Sequence, residues 1–541
     1  MHRRTALSWP AAAVAAFIAL PIVSLLWSVS NADAGARDIL AHLAGTVLPG
    51  YVATSLLLMA AVGAGAAVVG VATAWVVAAH DFPGRRVYEW ALILPLAMPT
   101  YVMAYAFTDF FQFSGPVQTL LRDLTGQPRL PWFPAIRSWY GAALVFIFAF
   151  YPYVYLLTRT AFLERSPRLS EAARTLGCGP ARAFFAVVLP LARPAAVAGI
   201  TLVLMETLAD YGAVSYFGVQ TFTTGIYRAW LSMGDRIAAA QLASALLAFV
   251  FVLVWLERRS RTRLRFHAGA QRHEQAPRRL SGRRAVWANL VCLVPLTLGF
   301  LLPVAIMLRF AAQDFHVIDW NRYAMWLGNT LRLAATTSVL AVVLALGLAY
   351  AARLAPGRLV RAANSVAGMG YAVPGAVLAV GLLILVGALD GRLEAWGWSF
   401  QGTLTGTLTL LVYAYLVRFL AVALQTTEAG LAKITPSLDA SARSLGAGTW
   451  ELLARVHQPL LRRSLLTAAL LVFVDVMKEL PATLVLRPFN FDTLAVITDH
   501  LAADERLGEA AVPALTIVLA GLLPVIVLAR AISRRDKLTK S

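Results

Sequence analysis

Apolar runs close to the 20 residues that a bilayer requires alternate with short polar loops along the whole chain. They lie at about 6–29, 51–79, 88–110, 139–158, 195–217 and 237–256. The order then recurs at about 286–308, 330–352, 364–388, 401–423, 464–486 and 510–529. This pattern predicts an all-α integral membrane protein of about 12 transmembrane helices, arranged as two repeated six-helix halves. The first run is read as a retained span, although Ala32-Asp33-Ala34 offers a cleavage site, because the second half has its own equivalent at 286–308. The predicted domains are a first half at 1–256, a basic linker at 257–285 and a second half at 286–541.

A polar stretch between the fourth and fifth runs fixes the repeat. The first copy reads Ser166-Pro167-Arg168-Leu169-Ser170-Glu171-Ala172-Ala173-Arg174-Thr175-Leu176-Gly177 and runs on to Leu189-Pro190. The second reads Thr435-Pro436-Ser437-Leu438-Asp439-Ala440-Ser441-Ala442-Arg443-Ser444-Leu445-Gly446 and runs on to Gln458-Pro459. Pro167 to Pro436, Gly177 to Gly446 and Pro190 to Pro459 all differ by 269 residues. So long a constant offset means one structural unit used twice. Ser166 and Thr435 suit N-cap positions with proline at the first helical position, and Gly177 and Gly446 suit the left-handed residue past a helix C-terminus. Each copy therefore predicts a capped polar helix of about ten residues, roughly 15 Å long. A second short helix is expected before Pro190 and Pro459.

Composition and charge narrow the class. The chain is 59% hydrophobic and 14% charged, with a mean hydropathy of +0.69. A soluble domain carries about 25% charged residues, so this is a membrane composition. The formal charge of +19 is spread over short loops rather than one nucleic-acid face. Arg85, Arg86, both polar stretches, the linker, Arg353, Arg358, Arg361 and the tail from Arg530 to Lys540 fall on one side of the alternation. Asp33, Asp38, Asp314, Asp319, Asp390, Glu394, Asp499, Asp504 and Glu505 fall on the other. The positive-inside rule then predicts cytoplasmic termini and cytoplasmic polar stretches. Cys178 and Cys292 imply neither a disulfide framework nor a metal site.

Most of the spans read as free of charge through their centres, and the exceptions are the fifth of each half. The fifth run of the first half holds Glu206 and Asp210, and that of the second half holds Asp475, Lys478 and Glu479. The same offset maps Glu206 onto Asp475 and Asp210 onto Glu479, and a spacing of four puts each pair on one helix face. Ionisable groups at membrane depth are costly and face protein or a water-filled path. One reading pairs Lys478 with Asp475 or Glu479 and gives the acids structural or gating work. The other lines a cation route with them, since hard oxygen donors suit a hard cation. Gly212 and Pro481 occupy equivalent places just beyond and would weaken the helix there.

The repeated stretch resembles the EAA loop of ABC importer permeases. The match covers Glu171, Ala172, Ala173, Gly177, Leu189 and Pro190 in the first copy. The second keeps Gly446 and Pro459 but has Ala440 at the glutamate position, with Asp439 one residue earlier. The resemblance implies that these loops, at about 159–194 and 425–463, dock onto ATPase subunits; the departures of the second copy add the hypothesis that the two docking sites are unequal. Met98–Tyr105, Tyr151–Tyr155 and the stretches 210–227 and 478–493 are similar to ferric-iron permeases of the binding-protein-dependent class, in which a fused double-length chain is usual. That resemblance implies a type I permease fold in the bacterial inner membrane. Its partners would be two ATPase subunits, which use ATP, and an external iron(III)-binding protein; no cofactor is expected on this chain. No Gly-x-x-x-x-Gly-Lys-Ser/Thr loop is present, so ATP hydrolysis is expected of separate subunits rather than of this chain. Thiamine, a phosphonate or a polyamine remain alternative cargoes, and an ion-driven secondary transporter is the alternative of a different class.

Overall fold

The computed structural model describes residues 2–30, 34–164, 178–262, 278–397 and 405–538. Glu171, Ala172, Ala173 and Gly177, on which the first copy of the polar stretch turns, lie outside the described residues.

Each half of the sequence supplies the same three-helix core. In the first half, helices Leu48–Ala79, Trp139–Glu164 and Leu189–Ala209 pack on one another. In the second, Trp320–Leu354, Leu408–Leu431 and Gln458–Met477 do so. Close approach of apolar helices needs small residues at the crossing. Gly70 and Gly199 provide this on either side of Val154: a Cβ on either would stand 2.6–2.7 Å from Val154 atoms. Asp319 starts the 35-residue helix Trp320–Leu354 by accepting from the amides of Asn321 and Arg322, both at 3.1 Å.

The helices around these cores are exchanged between the repeats. One compact unit comprises residues 1–42, 226–247 and 318–500, and the other 43–225, 248–317 and 501–541. The first span, His2–Ser30, packs on Arg358–Ala367 and Gly375–Ala395 of the second half. Ser24 donates to the carbonyl of Gly381 at 2.7 Å, and Gly381 lies so close to Pro21 that a Cβ would meet its carbonyl at 2.4 Å. Conversely, Leu302–Gln313 of the second half packs on helix Thr100–Phe111 of the first. The packing units thus interleave the two sequence halves. The linker takes part locally: Arg278–Arg279 pairs in parallel with His80–Asp81.

Ten helices are long and apolar enough to cross a membrane among the described residues, or eleven if the bent pair Arg85–Ala97 and Thr100–Thr125 counts as one span. The expected span at 88–110 is this pair, bent by 96°. Pro99 precedes the break at φ −63° and ψ 139°, and Pro374, its expected equivalent, precedes helix Gly375–Ala395 at φ −59° and ψ 143°. Proline with an extended ψ ends one helix and aims the next. The expected span at 464–486 is the helix Gln458–Met477, which carries Arg462, Arg463 and Asp475 and stops before Pro481.

The short helix expected before Pro190 and Pro459 is not separate. In both copies a single turn of π-helix, Phe184–Val188 or Leu452–His457, joins it without a break to the following span. A proline in the first turn has no N–H to donate, and widening the preceding turn keeps the helix continuous around it.

Candidate functional site

The second polar stretch folds as the helix Pro436–Ser444, with none of its residues buried. Gly446 takes φ +86°, as the sequence requires, and the chain closes with Ala447 N–H donating to Ala442 O at 3.1 Å. This 6→1 bond is the Schellman ending. The start departs from expectation. Thr435 has the extended N-cap backbone, but its hydroxyl pairs with Ser437 Oγ at 2.9 Å rather than capping an amide.

What holds this helix is Asp439. Arg353 Nε and Nη2 donate to its two oxygens at 2.8 and 2.9 Å, a bidentate pair. The same guanidinium donates to the carbonyls of Leu431 and Ile434 at 2.8 and 3.0 Å, tying down the preceding turn. His457 Nε2 lies 2.8 Å from Asp439 Oδ1, and the His457 ring is fully buried against Tyr350. Tyr350 in turn donates to Thr449 O at 3.1 Å. Partial burial works to raise the Asp439 carboxyl, but the hydrogen bonds from Arg353 and His457 outweigh it and hold it below the usual carboxylate range. The stretch is therefore pinned from beneath, while its outer surface presents Leu438, Leu445 and Trp450 to solvent, the last two 88% and 78% exposed. Ala440, at the motif's glutamate position, is also on the exposed surface. Pro190 and Pro459 occupy first-turn positions of their helices and are exposed.

The intramembrane acids serve a second construction, present once in each unit. Helix Leu189–Ala209 ends beside Asp210, and a short helix Gly212–Tyr216 begins. Asp210 Oδ1 accepts from the amides of Ala213 and Val214 at 3.0 and 3.3 Å. Its other oxygen accepts from the hydroxyl of Thr100, the first residue after the Pro99 break. In the other unit, Gln458–Met477 ends and Pro481–Leu486 begins. Glu479 accepts from the amides of Ala482 and Thr483 at 2.9 and 3.1 Å and from the Thr483 hydroxyl at 2.7 Å. Gly375, the first residue after the Pro374 break, lies against it: a Cβ there would stand 2.7 Å from Glu479 Oε1 and 2.8 Å from Arg418 Nη1. Each acid thus caps one broken helix and touches the start of another, so carboxylates read as a possible cation route are bound to backbone amides. The amide ends of a helix supply fixed positive potential for such a charge.

The two copies differ in one partner. Arg418 Nη1 donates to Glu479 at 3.1 Å, and the Glu479 side chain is only 2% exposed. The 269-residue offset puts Ala149 where Arg418 stands, so the first copy has no equivalent cation on that helix. The sequence gives no signal for Arg418, a single basic residue in an otherwise apolar run. Lys478 pairs with Asp475 at 2.9 Å, one of the two expected pairings. Glu206 stands one helical turn before Asp210, half-buried, and Asp210 N–H donates to its carbonyl at 3.0 Å.

Gly375→Ala is expected to displace the Arg418–Glu479 pair and to destabilise this unit by about 1–3 kcal/mol, the usual scale of overpacking. Thermal unfolding of the purified chain reads it, and an unchanged midpoint would mean that the break has room the geometry does not show.

The chain matches the model of the family described as binding-protein-dependent transport system inner membrane component twice, over residues 66–266 and 338–537. It is 25% identical over 482 residues to the Fe(3+)-transport system permease protein FbpB 2 of Haemophilus influenzae, covering 88% of each chain. It is 31% identical over 206 residues to the molybdenum transport system permease protein ModB of Escherichia coli, covering 36% of this chain and 86% of that one. It is 28% identical over 193 residues to the sulfate transport system permease protein CysT of Salmonella typhimurium, covering 35% and 67%.

Proposed function

From the premise that this chain belongs to the binding-protein-dependent transport system inner membrane components, we propose that it is the fused permease of an importer that carries iron(III). The chain is a multi-pass permease subunit of an ABC importer of the inner membrane rather than an enzyme. An external binding protein delivers the cation, and two ATPase subunits engage the two polar stretches on the cytoplasmic side, where both termini also lie. The observation that carries the coupling role is the Pro436–Ser444 helix. It is anchored by a charged clamp and shows Leu438 to solvent, beside Leu445 at its C-cap and Trp450 in the short helix that follows, both exposed as well. Exposed large apolar side chains on a rigid polar helix are what a soluble partner covers. Iron(III) is supported by the length of the match: the iron-transport relative aligns over both halves, whereas the molybdate and sulfate relatives align with about one third.

In this reading the two interrupted helices are the moving parts. Broken spans that meet at capped ends can change angle without exposing unsatisfied backbone to lipid. ATP-driven approach of the two stretches would then be transmitted through the continuous helices that follow them, Leu189–Ala209 and Gln458–Met477, to the breaks at Asp210 and Glu479. The acids gate in this scheme and do not store the cargo.

ATP hydrolysis by the reconstituted permease–ATPase complex tests the proposal, with the binding protein added empty or loaded with iron(III). The expected result is stimulation by the loaded protein well above the empty one. Equal stimulation by both would remove iron as the cargo. Stimulation by a molybdate- or sulfate-loaded binding protein instead would favour the oxyanion reading suggested by the two shorter matches.

A further inference from the structure

Helices Trp320–Leu354 and Gln458–Met477 leave an open groove between them of about 660 Å³. Val339, Val343, Leu465 and Leu466 are among its apolar lining, and Gln458 and Arg462 supply its polar end. Val339, Val343 and Leu466 are each 61% exposed, so the groove opens outward from the packed core. Arg462 has no acidic partner among the described residues, and neither does Arg193, which the 269-residue offset places at the same point of the first repeat.

An arginine in the first turns of a membrane-crossing helix is costly unless an anion meets it. The groove therefore offers an apolar channel along two spans with uncompensated guanidinium charge at one end. That pairing of shape and charge matches a lipid: acyl chains along the valines and leucines, and a phosphate on Arg462. A zwitterionic headgroup would bring its own ammonium against Arg462, so a headgroup of net negative charge fits better.

We propose that the groove between Trp320–Leu354 and Gln458–Met477 binds an anionic phospholipid, its phosphate on Arg462 beside Gln458 and its chains along Val339, Val343 and Leu466. The lipid comes from the cytoplasmic leaflet, which rests on the orientation proposed above. Arg462 is one helical turn past Gln458, where the clamped coupling stretch rejoins the span. The lipid would thus brace the base of the element that the ATPase moves.

The test is native mass spectrometry of the full-length chain with its ATPase subunits, taken from nanodiscs of phosphatidylcholine and phosphatidylglycerol mixed. The wild type is expected to retain phosphatidylglycerol in preference to phosphatidylcholine. Arg462→Gln is expected to reduce that preference about five-fold, the loss of one arginine–headgroup attraction. Val343→Trp fills the apolar part without touching the charge and is expected to lower retention of both lipids. Equal retention of the two lipids by the wild type would overturn the proposal. So would an Arg462→Gln variant that keeps the wild-type preference, or a Val343→Trp variant that keeps wild-type retention. Lipid is counted on the permease itself, so a preparation that binds no ATPase subunit would fail the coupling reading and leave the lipid result standing.

Discussion

Replacing Glu479 with alanine abolishes transport and lowers the unfolding temperature more than any other single change in the charged spans; that is the expected result. The Glu479 side chain is 2% exposed and accepts from two amides, the Thr483 hydroxyl and Arg418. Removing it takes the carboxylate away from the Arg418 guanidinium and uncaps the short helix Pro481–Leu486 at once. Deleting one partner of a buried pair costs about 3–5 kcal/mol. The Lys478–Asp475 pair provides the contrast: the lysine is 31% exposed, and Asp475→Asn is expected to cost about 1 kcal/mol or less. The double variant Arg418→Met with Glu479→Leu separates stability from function. Recovery of the unfolding temperature without recovery of transport would place the pair in the gating of the broken helices. Recovery of both would make it a structural device alone. Wild-type transport and stability in Glu479→Ala would mean that the carboxylate neither caps the break nor gates it.

Asp439→Ala is expected to uncouple ATP hydrolysis from cargo while the membrane core stays folded. The carboxylate holds Arg353 by two bonds and His457 by one, and the helix it anchors buries nothing else. Losing charge-assisted bonds of this kind costs about 1.5–3 kcal/mol each at most, which exceeds anything a nine-residue exposed helix can supply by itself. The helix should therefore detach from the end of Trp320–Leu354. Stimulated hydrolysis should fall about ten-fold or more, the effect of some 1.4 kcal/mol on a coupling equilibrium, with basal hydrolysis retained. Glu171→Ala, measured beside it, addresses the other copy. The proposed asymmetry requires unequal losses; equal losses would mean that the two docking sites are equivalent despite Ala440 standing where the first copy has Glu171. Asp439→Glu is expected to restore part of the coupling, because a longer carboxylate can still reach Arg353.

Much of this was legible without coordinates. Periodicity set the order of the apolar runs, because a bilayer admits few backbones other than helices of about 20 residues, although ten or eleven helices among the described residues, rather than twelve, are long and apolar enough to cross. The 269-residue offset established the repeat. Gly446 announced its left-handed turn because few other residues adopt φ near +86° at low cost. Gly212 and Pro481 marked breaks that the structure contains, because both residues weaken a helix by mechanisms internal to the backbone.

What the sequence could not settle depends on residues far apart in the chain. Asp439 read as a displaced motif acid, yet its partners are 86 residues before it and 18 after it. Glu479 read as one of several charges near a path, and only the fold brought Arg418 and the Gly375 turn against it. The exchange of the first spans between the halves was also invisible. An apolar helix displays the same hydropathy whichever partner it packs on, so hydrophobic pattern fixes that a helix enters the membrane but not its neighbour. Local rules of helix length, breakage and capping belong to the sequence by itself. The choice of partner belongs to tertiary structure, because shape complementarity at glycine crossings such as Gly381 against Pro21, and charge pairing across helices, exist only once the chain has folded.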